Sequence, residues 1–321
     1  MAKKFLSFQE QLNLLSKEKK LSYNESDAVK LMKEGYFNVI TNYKHPFIIS
    51  ENNKWYFKDG CSLSQILKFK DFDDSLRILF LEYLVKVEQE VRAIAGYLFE
   101  SSHNLKNGNW RDTQLYDLEH VPLKKILSLI NRLESDIEKN NNDDINEYLI
   151  RKKEIPSWAM IQAISYSTFL IFLRFVKQSV RDGLVKTYQI KDENELYSFE
   201  MFYNAIDLFR DLRNKCAHNE KIYNYKNDSE IIKDKIMSEL NKNNSLITDG
   251  CRLINCVIYL KYFLLDEEFE QFINRLKNCF TNLKNVISES IYNDILKQFG
   301  INNILCLDKI TEYKVRKSYK F

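Results

Sequence analysis

DDSLRILFLEYLVKVEQEVRAIAGYLFE, residues 73–100, is apolar on nearly every face of a 3.6-residue repeat. A helix of that kind needs neighbours all round, so the stretch predicts a central helix enclosed by others. The 321-residue chain holds only 7 Gly and 3 Pro, which leaves little turn punctuation for a many-stranded sheet. Its richness in Leu, Ile, Lys and Glu favours helix, and the expectation is an all-α fold.

Working outward, FLSFQEQLNLL (5–15) begins the helical signals, and Ser22-Tyr-Asn-Glu25 has the spacing of a capping box opening a second helix through Gly35. YFNVITNYKHPFIIS and NNKWYFKDG are aromatic and β-prone, compatible with a short hairpin or an irregular wrap over a helix. Ser62-Leu-Ser-Gln65 is a further cap. The polar stretches at 101–122 and 139–156 read as loops. PSWAMIQAISYSTFLIFLRFV, residues 156–176, predicts one buried helix opened by Pro156. ELYSFEMFYNAIDLFRDLRNKCAHN follows, with Phe202, Ala205, Ile206, Phe209, Leu212 and Cys216 at helical spacing. Three more helices are expected near 228–240, 250–280 and 283–298. One division of the chain is a main domain over 1–225, with a short N-terminal subdomain at 1–70, and a helical extension over 226–321.

With 48 basic and 45 acidic side chains, the net charge of +3 selects no partner. No apolar run reaches the roughly 18 residues of a membrane span, and MAKKFLSFQEQ lacks a secretory signal, so a cytoplasmic protein without membrane association is expected. Six cysteines without a Cys-x-x-Cys pair read as small core residues.

The chemistry concentrates in RDLRNKCAHNEKIYN, residues 210–224. At about 100° per residue, with Phe209 at 0°, Arg213 falls near 40°, Asn214 near 140° and His218 near 180°. His218 therefore points away from the core, and Asp207 and Asp211 share that outer side. Arg213 borders the apolar face, but its long stem can carry the guanidinium round the helix. An imidazole near its usual pKa of about 6.5 moves protons at neutral pH. A guanidinium holds a phosphate through two parallel hydrogen bonds, and an Asn one turn before the His can orient it. RNA brings its own nucleophile in the 2′-hydroxyl, so such a set suits RNA cleavage without a metal-activated water.

Arg213-Asn214 followed by His218 resembles the Arg-x(4–6)-His signature of HEPN ribonucleases. LRNKCAHNEKIYN resembles the corresponding block of the Abi-like (AbiD/AbiF) abortive-infection proteins. GYFNVITNYKHPF, LEYLVKVEQEVRAIAGY and IPSWAMIQAISYSTF agree with the same family, and together the blocks cover most of 1–225. The resemblance implies a HEPN-type helical bundle with additional C-terminal helices, metal-independent RNA cleavage and phage defence. It implies catalytic roles for Arg213 and His218, support from Asn214, and a Glu-x-x-x-Arg pattern at Glu88 and Arg92. It also implies a small structured RNA as a restraining partner. Only one such motif is present, and His103 stands too far from Arg92 to make a second. A homodimer would supply the pair.

Plainer readings stand beside these. Glu88 and Arg92 suit an ordinary i,i+4 ion pair. Asp207, Asp211 and His218 have the chemistry of a metal site, but a solvated face is the usual explanation of such a stripe and no metal is expected. His45, His103 and His120 sit in loop contexts. Lys314, Arg316 and Lys317 lie in a basic tail interleaved with Tyr313, Tyr319 and Phe321, suited to phosphates and stacked bases, with 151–153 a weaker basic cluster. The expected activity is an endoribonuclease without a cofactor. The alternatives are a non-catalytic RNA-binding defence module and a helix seam for dimerisation.

Overall fold

A computed structural model describes residues 5–52, 54–102, 109–140, 143–148, 155–228, 231–242 and 246–315. The helices in chain order are α1 (Phe8–Asn13), α2 (Glu25–Glu34), α3 (Leu63–Ser101), α4 (Leu123–Glu138), α5 (Asp143–Glu147), α6 (Ser157–Ala163) and α7 (Tyr166–Phe175). They continue with α8 (Gln178–Tyr188), α9 (Phe199–Ala217), α10 (Lys235–Lys242), α11 (Leu253–Phe263), α12 (Asp266–Lys284), α13 (Glu289–Phe299) and α14 (Leu305–Glu312). Two antiparallel pairs of short strands accompany them: β1 (Ile48–Glu51) with β2 (Lys54–Phe57), and β3 (Lys226–Asn227) with β4 (Cys251–Arg252). The fold is all-α.

The quoted stretch lies within α3, a 39-residue helix that α6, α9, α12 and α8 pack around. Its start is the expected box: Ser62 Oγ accepts from Gln65 N–H, and Gln65 Oε1 accepts from Ser62 N–H. The matching expectation at Ser22 is corrected. Asn24 caps α2, accepting from Asp27 N–H at 2.8 Å, while the Ser22 hydroxyl donates to the Cys61 carbonyl. The helix starts two residues later than that spacing implied, so the donor that is capped is the Asp27 N–H and not that of Glu25.

Two expected helices are each divided. Residues 156–176 break after Ala163, where Ile164 is extended and Ser165 caps α7 by accepting from Thr168 N–H at 3.2 Å. Residues 250–280 break between α11 and α12, where Leu264 and Leu265 are extended. The aromatic stretch before α3 forms the β1–β2 hairpin after a π-helical turn at Phe37–Thr41.

Residue 70 lies inside α3, and buried side chains of 226–315 join those of the earlier helices in one core. Phe272 of α12 packs on Phe80 and Tyr83 of α3 with ring centroids 5.3 and 5.1 Å apart, and Phe280 on Phe72 at 5.1 Å. All six cysteines are free thiols, five of them buried. Among the described residues no helix is long and apolar enough to cross a membrane.

The exit of α9 is fixed by a buried carboxylate. Asn219 adopts a left-handed φ of 58°, and Glu220 N–H reaches back to the Lys215 carbonyl at 2.9 Å, which ends the helix. The chain then meets Asp73 of α3. Its carboxylate accepts from Tyr223 N–H at 2.6 Å, Ile222 N–H at 3.1 Å, Tyr43 hydroxyl at 2.8 Å and Arg77 Nη1 at 2.7 Å. Burial pushes this carboxyl above its ordinary value, against the opposing pull of Arg77 and the other donors. Replacing Asp73 by Ala leaves two buried amides and the Tyr43 hydroxyl without their acceptor and the buried Arg77 with Asp74 as its remaining carboxylate, so urea unfolding should show a loss of about 3–5 kcal/mol. A loss below about 1 kcal/mol would mean that the node does not hold the loop.

Candidate functional site

Glu88 and Arg92 stand one turn apart on α3 and face the break between α6 and α7. That break leaves the last carbonyls of α6 without helical partners. Arg92 Nη1 takes two of them, donating to Ile161 O at 2.6 Å and Ile164 O at 3.1 Å. Its Nε and Nη2 donate to Glu88 Oε1 at 3.1 and 2.9 Å, and its guanidinium lies 4.8 Å from the Phe169 ring centroid and 5.5 Å from that of Tyr166. Only 6% of the Arg92 side chain is exposed.

The other oxygen of Glu88 faces α9. Arg213 Nε lies 3.6 Å from Glu88 Oε2, near enough for an ion pair and too far for a hydrogen bond. Glu88 thus stands between two guanidiniums with unequal engagement. Arg213 Nη1 donates to Asn214 Oδ1 at 3.3 Å, while its Nε is buried without a hydrogen-bond partner, as is the hydroxyl of Tyr166. Burial, and secondarily the charge of Glu88, pushes the Tyr166 phenol up, so it stays a protonated donor; Arg92 and Arg213 oppose the shift.

These groups line a cleft of about 730 Å³ that Gln89, Lys139, Ser165 and Asn214 also border. Asp136 is at its edge. Burial pushes the Asp136 carboxyl up, but hydrogen bonds from Thr168 and Ser165 outweigh it and hold the group below its usual range. The wall of the cleft thus combines the part-exposed Arg213 guanidinium and Lys139 with carboxylates engaged by Arg92, Ser165 and Thr168, a polar lining suited to an anion or a polar oxygen. Lys139 and Tyr166 were not singled out in the sequence. Tyr166 falls next to Ser165, and a Ser followed three residues later by Thr168 was the available sign that a helix begins there and opens a gap.

His218 stands apart from that cleft. It caps the C-terminus of α9, its backbone N–H donating to Asn214 O at 2.9 Å, and its exposed imidazole makes no hydrogen bond among the described residues. Arg213 and Asn214 share the cleft; His218 follows one turn beyond Asn214 on the same side of the helix. The expected outer stripe of Asp207, Asp211 and His218 is not assembled. Asp207 pairs with Arg210 Nη2 at 2.7 Å, and Asp211 accepts from the Tyr225 hydroxyl at 2.8 Å and from Asn227 Nδ2 at 3.3 Å. The return of the chain along α9 draws Asp211 sideways. Among the described residues no cluster of three metal-ligating side chains occurs.

The Abi-like protein family matches residues 29–224. The chain belongs to that family. Membership supports a role in abortive-infection defence, and the matched region contains Glu88, Arg92, Arg213, Asn214 and His218. No curated protein and no solved structure matches this Abi-like chain.

The remaining expected sites of the Abi-like protein lie elsewhere. Lys314 Nζ is 3.6 Å from Asp266 Oδ2 and 3.9 Å from Glu270 Oε1, and borders a different cleft with Lys235 and Tyr262. Arg316, Lys317, His103 and residues 151–153 fall outside the described residues. His45 opens a short 3₁₀ turn, and His120 Nδ1 lies 3.0 Å from Asp117 Oδ1.

The unequal engagement of the two arginines has a measurable consequence. Arg92→Ala removes a buried ion pair and uncaps two carbonyls, so denaturant unfolding should show a loss of about 3 kcal/mol or more. Arg213, whose side chain is 36% exposed, should cost less than about 1 kcal/mol when changed to Ala. The reverse order would make Arg213 the structural member.

Proposed function

We propose that this Abi-like protein is a metal-independent endoribonuclease, toxin-like in its action, that cleaves RNA through the 2′-hydroxyl. The observation carrying the reading is Arg213: a guanidinium in a polar cleft whose Nε makes no hydrogen bond and only a 3.6 Å ion pair with Glu88, five residues before an exposed histidine at the end of the same helix. In the proposed reaction the ribose 2′-oxygen attacks the adjacent phosphorus and the P–O5′ bond breaks. The products are a 2′,3′-cyclic phosphate and a 5′-hydroxyl. Arg213 stabilises the charge that develops on the non-bridging oxygens, and Asn214 holds the substrate or the imidazole in place. His218 takes the 2′-proton or supplies the proton that the departing 5′-oxygen needs.

One imidazole serves one of those two proton transfers at a time. The exposed position of His218 supports a homodimer in which a second copy brings the other, so the proposed active unit is a pair of chains. Glu88 and Arg92 act as positioning residues, holding Arg213 from behind.

A second reading has its own support. His218 does not line the cleft that holds Arg213, which favours a non-catalytic module that binds RNA and works with a small structured RNA as its restraining partner. Purified protein with total RNA in EDTA separates the two. The nuclease produces cyclic-phosphate ends; His218→Ala lowers the rate by about 10²-fold or more, and Arg213→Ala lowers it comparably. Undiminished cutting by His218→Ala would remove the mechanism, and binding without cut ends would leave the module.

A further inference from the structure

The last turns of α9 form a ridge between two clefts. On the helical projection used above, His218 near 180° stands between Asn214 near 140° and Lys215 near 240°. Arg213 and Asn214 line the first cleft. Lys215 and Asn219 line a second, of about 560 Å³, together with Lys221 and Lys226. Phe37 borders this second cleft and also a third of about 560 Å³, which contains Lys19, Lys44 and Trp55. A continuous surface therefore runs from His218 across the end of α9 to the β1–β2 hairpin.

The charge on that surface is one-sided. Among the described residues five lysines line the second and third clefts, at 19, 44, 215, 221 and 226, and the one carboxylate lining them, Glu220, is engaged by Lys215 at 3.2 Å. Burial first, then the charges of Lys221 and Lys44, hold the His45 imidazole below its usual range. The Arg213 cleft differs, because Glu88 and Asp136 offset its cations. A polyanion that reached Arg213 would draw most of its attraction from the lysine surface.

Aromatic rings complete the pattern. Phe37 is 66% exposed, on a turn anchored by buried Val39 and Ile40. Trp55 lies beneath two ammonium groups, Lys44 Nζ at 4.1 Å and Lys19 Nζ at 4.5 Å from its ring centroid. Trp55 is part-buried under those ammoniums, so the exposed Phe37 ring is the stacking face offered to an unpaired base, with lysine charges beside it for the phosphates. We infer that this surface is the path of single-stranded RNA running away from the His218 ridge, with a base stacked on Phe37 and phosphates held by Lys221 and Lys226. The inference rests on the RNA reading of the Arg213 cleft and extends it to a second binding region.

The test uses the full chain and a fluorescent 2′-O-methyl oligouridylate, which lacks the attacking hydroxyl and cannot be cut by the proposed route. Fluorescence anisotropy should show binding by the unaltered protein and about tenfold weaker binding by Phe37→Ala. The Lys221→Glu, Lys226→Glu double variant should weaken binding further. It should also flatten the slope of log K against log salt by roughly 1.4, at about 0.7 per lost phosphate contact. Lys235→Glu, on a different cleft, serves as the control and should bind normally. Thermal unfolding of the variants checks that they fold. Failure of the unaltered protein to bind the strand overturns the inference, as does normal affinity in both Phe37→Ala and the double variant. A strand bound through Phe37 but RNA never cut keeps the path and removes the nuclease; RNA cut while the variants bind normally does the opposite.

Discussion

A carboxylate on α3, Asp73, fixes where α9 ends, and a second, Glu88, faces α9 from farther along α3. They are about four turns apart, roughly 22 Å along the axis. Asp73 grips the chain as it leaves α9, through the amides of residues 222 and 223, and Glu88 faces Arg213. Apolar packing between the two helices brings them together without choosing a register, because leucine-like surfaces tolerate sliding. Buried charge does not, since a displaced carboxylate would lose partners that water cannot replace. Everything attributed to Arg213, Asn214 and His218 presupposes that register.

Much of this was legible in the residues themselves. The all-round apolar character of 73–100 identified α3, and the predicted inner face of α9, from Phe202 to Cys216, is the face that is buried. The Ser62–Gln65 box was readable because it is entirely local. What the residues did not disclose was long-range or competitive. The α6–α7 break hides inside an unbroken apolar run, since residues that suit one long buried helix also suit two short ones. Asp211 looked like part of an outward stripe because the projection knows nothing of Tyr225, which pulls it aside. The Glu88–Arg92 pairing was readable from its spacing, whereas the carbonyls that Arg92 reaches depend on the break.

The C-terminal helices carry a different kind of meaning. They lie outside the family match, yet α12 covers one flank of α3 with Phe272 and Phe280, and Arg275 clasps Glu82 through two hydrogen bonds of 2.8 Å. A helix that is apolar all round has no face to spare for solvent, so the matched region acquires a complete enclosure only with this part of the chain. The cleft side of α3 and its α12 side are opposite aspects of one rod.

Farther along α3, Gly96 lies against α6. A β-carbon there would come within 3.3 Å of the Trp158 Cα on α6, tighter than such atoms normally meet. A lone hydrogen thus sets how near α6 settles, and with it the height of the carbonyl shelf on which Arg92 rests. A side chain at residue 96 would press α6 away from α3, and the carbonyls that hold the Arg92 guanidinium would move with it.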